Sequence, residues 1–405
     1  MKRVVLYTFA YNATRTLPRT INSVITQAFP DWVWYLVDNG STDDTGKIIR
    51  DYARNDARII PLANRQNHVW EPGNSFGDVV FRHDDDDFLC FLDADDAYKP
   101  DFLSKMLVFA SANQLDIAAC GNDFVDAGTG KINGARMLDR TLILEGAQFS
   151  EYFPLYHQYM RTTWGKLYRI SVIKKVDKQN LVPLSYGGDT LIVTECFRNA
   201  SRIGIYAESL YDYFVSGNSV SYQFDKMRIE SDRILHEASH KFLNDRCGFV
   251  NPVNEDFLLC VYMNALHDTM NVLVNARIPL MEKITGVIDI TTHRYTGQLM
   301  AQRNLGIGTG SVAAMLANRR AMFSAIKNWL TSLDEVPDEL VEGYCNAGEL
   351  LSAAVEDAEG WLFFKKLRVR FLLGQNRRDE ARSGLAELTE LIPDDTDVVE
   401  FLRLF

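Results

Sequence analysis

The sequence predicts an α/β domain with a mainly parallel sheet over residues 1–225, followed by an all-α region. Three observations predict it. Short apolar runs alternate with amphipathic helical stretches in the first half, the pattern of βαβ units. After about Phe224 the β-branched runs become scarce and helical periodicity dominates. Polar turns follow three of the apolar runs, and in sheets of this kind ligands sit at the carboxyl ends of the strands.

The elements follow in order. Val4 to Phe9 is a buried-strand candidate that ends in the polar turn Ala10-Tyr11-Asn12-Ala13. Pro18 suits the first turn of a helix presenting Ile21, Val24 and Ile25 on one face. Trp32 to Val37 reads as the second strand, and Asp38 to Asp44 supplies turn formers and an N-cap for a helix from Asp44 to Asn55. Arg58 to Leu62 and Phe88 to Leu92 are the third and fourth strands. The turns after Phe9, Val37 and Leu92 are expected to converge on one crevice. In the second half, Phe257, Val261, Ala265 and Leu266 mark one helix face, and Val312, Leu316, Met322, Phe323, Ile326 and Leu330 another. Trp361 to Leu373, Gly374, and then Asp379 to Leu391 with Pro393 read as a helical hairpin of the tetratricopeptide type, with Ala381 and Leu385 inward. The expected domains are 1–225, a helical domain 226–355 and this hairpin, 356–405.

Composition bounds the function. The 405 residues are 47% hydrophobic and 24% charged, which excludes wholesale disorder, and the net charge of −11 argues against nucleic acid as a partner. No run of about 18 apolar residues suggests a membrane span. Met1-Lys2-Arg3 with Val4 to Phe9 is short for a signal peptide. Six widely spaced cysteines without a CxxC pair read as reduced, mostly buried thiols of a cytoplasmic protein.

The chemistry concentrates at Phe91-Leu92-Asp93-Ala94-Asp95-Asp96, where an apolar strand runs directly into closely spaced carboxylates. An extended segment would put Asp93 and Asp95 on the same side, and paired hard oxygen ligands suit Mg²⁺ or Mn²⁺. A turn whose aspartates cap the helical stretch beginning at Pro100-Asp101 is the competing reading.

Val4 to Asn12, Leu36 to Asp43 and Leu92 to Asp96 together resemble family 2 glycosyltransferases of the GT-A fold, a Rossmann-like nucleotide-diphospho-sugar transferase domain. Thr163-Trp164-Gly165-Lys166-Leu167-Tyr168, Gly187-Gly188-Asp189-Thr190 and Tyr211-Asp212-Tyr213 follow in that family's order. The resemblance implies that Thr8, Ala10 and Tyr11 line the base pocket, with the Tyr11 ring stacking on a pyrimidine, unless it simply packs on the sheet edge. It implies that Asp38 and Asn39 meet the base or ribose, a role compatible with plain turn chemistry. Asp93, next to Ala94, would contact the ribose and help hold the metal, and Asp95 would bind Mn²⁺ or Mg²⁺ directly. Asp96 would be a structural cap or support. Asp189 would be the base of an inverting transfer, with an N-cap as its competing role. Trp164 and Lys166 would shape the acceptor pocket or approach the diphosphate. The implied enzyme is a hexosyl- or N-acetylhexosaminyltransferase using a nucleotide-sugar donor, most simply a UDP-sugar, and a glycan, lipid-linked or protein acceptor.

Several positions depart from the family pattern. Asn39 stands for a second Asp, Gly165 for a common Asn and Gly188 for a common Glu, and Phe214 to Ser219 lacks the Arg often found after the Tyr-x-Tyr strand. A non-catalytic sugar-nucleotide-binding or scaffold protein with a helical interaction tail is therefore the alternative. A pyrophosphorylase would show a Gly-rich basic loop where Ala10 to Ala13 stands.

Other motifs carry less. Arg82 to Asp87 reads as a solvated acidic turn, and Gly306 to Ser311 as a helix connector without the Lys-Ser or Lys-Thr of a phosphate loop. His157, His236 and His240 read as solvated or satisfied core histidines. Arg161, Lys166 and Arg169, with Lys365, Lys366, Arg368 and Arg370 in the tail, hint at positive faces. A tail face of that kind admits peripheral contact with an anionic membrane, but a solvated face is the simpler reading. The helical region also offers a surface for homo-oligomer formation.

Overall fold

The computed structural model describes residues 3–67, 73–184, 186–215, 224–301 and 311–405, the side chains of 311–317 excepted. The chain divides into two compact units, Met1–Tyr222 with Glu237–Val250, and Gln223–His236 with Asn251–Phe405. The helix Met227–Cys247 contributes to both.

The first unit is built on a ten-stranded sheet. Its strands are β1 (Val4–Ala10), β2 (Trp32–Asn39), β3 (Ile59–Asn64), β4 (Phe88–Phe91), β5 (Ala97–Tyr98), β6 (Ile117–Asp126), β7 (Ile132–Arg136), β8 (Leu142–Leu144), β9 (Lys166–Arg169) and β10 (Ile203–Val215). The order is β3-β2-β1-β4-β9-β6-β10-β5, with β7 on β6 and β8 on β10. The half formed by β3, β2, β1 and β4 is parallel, as the alternating pattern predicts. β6 and β10 also run parallel, but all pairings of β5, β7, β8 and β9 are antiparallel. The sheet is therefore mixed, with its long pairings parallel, as expected, and its short strands antiparallel. The antiparallel strands are short or edge elements that need no crossover helix, so they leave no βαβ signature in the sequence.

β1 is almost wholly buried, which is why it reads as a continuous apolar run rather than an alternating one. Thr8 is its polar exception, and its hydroxyl accepts the indole N–H of buried Trp34 at 3.0 Å. The helix Leu17–Ile25, with Pro18 in its first turn, buries Leu17, Thr20, Ile21 and Val24. The helices Thr45–Asn55, Phe102–Ala112 and Gly188–Asn199 follow β2, β5 and β9. All six cysteines are unpaired, and five are buried.

The second unit is helical among its described residues. Its main core gathers Leu259, Met263, Leu266, Leu273, Val287, Ile290, Phe323, Ile326, Leu330, Leu351 and Phe364. A smaller core joins Val369, Leu372, Ala381, Leu385, Leu388, Val398 and Phe401 from the helices Ala358–Gly374, Arg378–Leu391 and Thr396–Arg403. Met322, Phe323, Ile326 and Leu330 are buried as expected, whereas Val312, Leu316 and the glycine-rich stretch at 306–310 lie outside the described positions. On the helix Pro252–Asn275 the buried face is Leu258, Leu259, Tyr262, Met263, Leu266, Met270 and Leu273, with Phe257, Val261 and Ala265 only half-buried. That helix is apolar on most sides, so periodicity alone mis-set its face by a residue. By length and composition it could cross a membrane, with mean hydropathy 1.3, and half of that window is buried inside the protein.

The basic tail is internally neutralised. Lys365 pairs with Glu349 and Glu387, Lys366 with Asp395 and Asp397, Arg370 with Asp397, and Arg377 with Glu342 and Glu380. The acidic turn before β4 is likewise engaged, Asp85 with Lys174 at 2.7 Å and Asp86 with Arg169 at 2.8 Å.

Candidate active site

The loops after β1, β2 and β4 converge. A cavity of about 1030 Å³ is lined by Phe9 and Tyr11 to Thr16, by Thr42 to Asp44, and by Asp93 to Asp95. Side-chain to backbone bonds stitch these loops together. Asn12, in the left-handed region at φ 48°, accepts from Thr42 N at 2.8 Å and donates its own N–H to Ser41 Oγ at 3.0 Å. Ala13 N donates to Thr45 Oγ1 at 2.8 Å. Thr16 and Thr20 donate their hydroxyls to the Ala94 carbonyl at 2.9 and 3.0 Å, and Arg19 donates to the Asp95 carbonyl. Sequence reasoning missed Asn12, Thr16, Arg19 and Thr20. The only signal for them was a run of turn and cap residues, which those types supply for many reasons.

The aspartate cluster is a turn, not a continued strand. β4 stops at Phe91, and Asp96 N donates to the Asp93 carbonyl at 3.2 Å. Each of Asp93, Asp95 and Asp96 offers a carboxylate oxygen within 4.8 Å of the others. Asp96 is buried and fully used: Tyr211 Oη donates to Oδ2 at 2.8 Å and Phe214 N to Oδ1 at 2.8 Å, so it ties β10 to the cluster rather than capping a helix. Asp95 is exposed and Asp93 half-buried. Burial, with the charges of Asp189 and Asp95, pushes the Asp93 carboxyl up to about 7. Loss of water also raises Asp95, opposed by the Arg19 guanidinium, whose carbon lies 3.3 Å from the centre of the Phe214 ring. Asp93 and Asp95 are hard-oxygen donors held close together, with the Asp95 charge raising Asp93, and they fit a divalent cation, which would relieve that repulsion. Asp43, across the cavity and exposed, is raised by a partial loss of water, but hydrogen bonds from Thr14 and Thr45 outweigh it and hold the carboxyl down at about 2.

The other expected site residues divide. Tyr11 is 46% exposed and lines the cavity, as does Ala94. Thr8 and Ala10 are buried in and beneath β1 and are not among the lining residues. Asp38 Oδ1 accepts from Ser41 N at 3.0 Å. Asn39 sits in a chain of amides, donating to Asn67 Oδ1 and accepting from Asn64 Nδ2, both at 2.9 Å.

Asp189 lies in the first turn of its helix. The N-cap is Gly187, at φ 78°, so the capping role falls to another residue. Asp189 is exposed as a residue, but the protein around its carboxylate removes water and raises it, with a hydrogen bond from Thr163 Oγ1 (3.3 Å) and the charge of Lys166 opposing. Lys166 is buried and spends its ammonium on the carbonyls of Thr162 (2.6 Å) and Trp164 (3.0 Å). Trp164 stacks on Tyr211 and Tyr213, with ring centres 4.5 and 5.4 Å away. Gly165 between them has φ 68°, a conformation that glycine and asparagine tolerate best.

Residues 6–176 match the family model described as Glycosyl transferase family 2. Uncharacterized glycosyltransferase EpsJ of Bacillus subtilis (strain 168) is 25% identical over 213 residues, 52% of this chain and 60% of that protein. Uncharacterized glycosyltransferase YibD of Escherichia coli (strain K12) is 28% identical over 216 residues, 52% of this chain and 61% of that protein. A crystal structure of S. aureus TarS 1-349 in complex with UDP-GlcNAc superposes with a TM-score of 0.46 at 17% identity, covering 92% of both chains. The chain thus spans about three fifths of the length of these curated relatives. The similarity to glycosyltransferase family 2 thus lies in the N-terminal α/β region, residues 6–176, and helices follow it.

Proposed function

We propose that this chain is a metal-dependent inverting glycosyltransferase that moves a sugar from a UDP-sugar to the hydroxyl of a glycan, lipid-linked or protein acceptor. The observation that carries this reading is the meeting of Tyr11, Asp93 and Asp95 on one cavity at the carboxyl ends of β1, β2 and β4. Tyr11 offers its exposed ring to the base, and such stacking contributes about 1–3 kcal/mol. Asp38, with Asn39 beside it, meets the base or ribose, and Asp93 the ribose. Asp93 and Asp95 are the residues that would hold Mn²⁺ or Mg²⁺, which when bound supplies charge neutralisation at the donor diphosphate. Asp189 accepts the proton of the acceptor hydroxyl on a carboxylate oxygen. That acceptor oxygen bonds to the anomeric carbon from the face opposite the leaving diphosphate, and the carbon–phosphate-oxygen bond breaks with its electron pair going to UDP. The raised Asp189 carboxyl supports this role, since a base nearer neutrality takes a proton more readily.

Trp164 belongs to the acceptor side of this site. Buried Lys166 acts through the turn it braces rather than on the diphosphate.

Calorimetric titration with UDP, with and without Mn²⁺, tests the reading. Saturable binding that strengthens with Mn²⁺ is expected, whereas no heat under either condition would leave the scaffold alternative.

A further inference from the structure

The turn after β4 is used from two sides. Asp93 and Asp95 line the cavity, while the backbone carbonyls of the same turn are taken up by the start of the helix Leu17–Ile25. Thr16 Oγ1 donates to the Ala94 carbonyl at 2.9 Å. Thr20 Oγ1 is within reach of two carbonyls, Ala94 at 3.0 Å and Asp96 at 2.8 Å. Arg19 Nη2 donates to the carbonyl between them, that of Asp95. Positions three and four apart share one helix face, so one rigid element holds three successive carbonyls of the turn. The lacing continues along the chain: Ser23 Oγ accepts from Tyr98 N at 3.2 Å, and Gln27 Nε2 donates to the Lys99 carbonyl at 2.8 Å.

Arg19 differs from its two threonine neighbours in reaching a third element. Its guanidinium carbon lies 3.3 Å from the centre of the Phe214 ring in β10, and Phe214 N donates to Asp96 Oδ1 at 2.8 Å. A planar cation laid on an aromatic face is held in direction as well as in place. The atom it grips matters equally. An arginine forked onto the Asp95 carboxylate would occupy the oxygens that a metal needs. Bonded to the carbonyl of that residue, it fixes the backbone from which the exposed carboxylate projects and leaves those oxygens open. Groups that brace a metal's ligands without touching the metal are worth about 10–100-fold in affinity.

We propose that Arg19 is a positioning residue for the divalent cation of the donor site, holding the turn so that the Asp95 carboxylate stays open to the cavity. This rests on the glycosyltransfer reading, whose metal site it deepens. Arg19 touches neither the cation nor the donor; it acts through Asp95, with Thr16 and Thr20 fixing the carbonyls on either side.

The test is calorimetry of UDP binding by the full chain, in chelator and over a Mn²⁺ series. It reads the metal-free affinity for UDP and the Mn²⁺ concentration that half-saturates the strengthening of UDP binding. Arg19→Met is expected to raise that concentration about tenfold or more while leaving metal-free affinity within about twofold of wild type. Arg54→Met, at an exposed arginine bonded to Asp51, is expected to change neither. A merely structural role would weaken both quantities alike, and an arginine on the diphosphate would weaken metal-free binding. Either result, or an unchanged half-saturation, would overturn the proposal. If Arg19→Met does not fold by circular dichroism, Arg19→Gln keeps an amide donor without the charge. It is expected to raise the half-saturation at least about threefold, and no rise there would overturn the proposal. Failure of the donor reading registers separately, as wild type that binds no UDP or binds it equally with and without Mn²⁺, and it takes this proposal with it.

Discussion

Adjacent residues in the aspartate cluster do opposite jobs, and single substitutions separate them. Asp96 is buried and accepts from Tyr211 and Phe214, so Asp96→Ala strands two donors. At about 1–3 kcal/mol for each unmade bond, the variant should lose about 3 kcal/mol of stability in urea denaturation. Asp95 is exposed, and Asp95→Asn should stay within about 0.5 kcal/mol of wild type in the same experiment. His157 gives the pH dependence. It is 4% exposed, and burial, with the Arg161 charge adding, lowers it to about 3. Between that value and the unfolded value of about 6.5 the unfolded chain holds the extra proton, so stability falls as pH falls through this window. Each unit is worth up to about 1.4 kcal/mol. His157→Asn, which titrates in neither state, should flatten the stability profile between pH 6 and 5 by about 1 kcal/mol per unit. An unchanged slope would mean the imidazole is already charged in the folded protein.

At the scale of elements, the site depends on the first turn of the helix Thr45–Asn55. A Cβ built on Gly46 would stand 2.2 Å from Asp38 Oδ2, the end of a side chain that can swing away. Helix propensity alone favours Gly46→Ala by up to about 1 kcal/mol. The variant should therefore remain folded, with a melting temperature near that of wild type. Its affinity for UDP should drop, by about tenfold if Asp38 contributes one charge-assisted hydrogen bond of about 1.5 kcal/mol. Unchanged UDP affinity would remove Asp38 from the donor site. The same scale shows what could be read in advance. β1, β2 and β4 are buried apolar runs with turn residues after them, so their order and the meeting of their loops were legible. β5, β7, β8 and β9 were not, because two to five residues without alternation carry no period. At Asp93 to Asp96 the sequence leaves an extended segment and a turn both open, since the two look alike until a backbone bond closes the turn.

At the scale of the molecule, composition and the texture change near residue 225 anticipated an α/β part and a helical part, and both are present. The hidden features are those made by distant residues. Arg19 reaches the aspartate turn across 76 positions, and Tyr211 reaches Asp96 across 115. The ion pairs that cancel the basic tail join helices to one another, for instance Lys366 to Asp395 at 2.6 Å. A sequence window sees the cations and not their partners, which is why that face looked positive.

The measurement that tests the central claim most directly is turnover of a UDP-sugar panel by wild type and Asp95→Ala, with Mn²⁺ and with chelator, alongside circular dichroism of both. The account predicts Mn²⁺-dependent turnover in wild type and a loss of at least about 100-fold in a variant that is still fully folded, the size of effect expected when a charge-stabilising group is removed. Near-normal turnover by folded Asp95→Ala would contradict it.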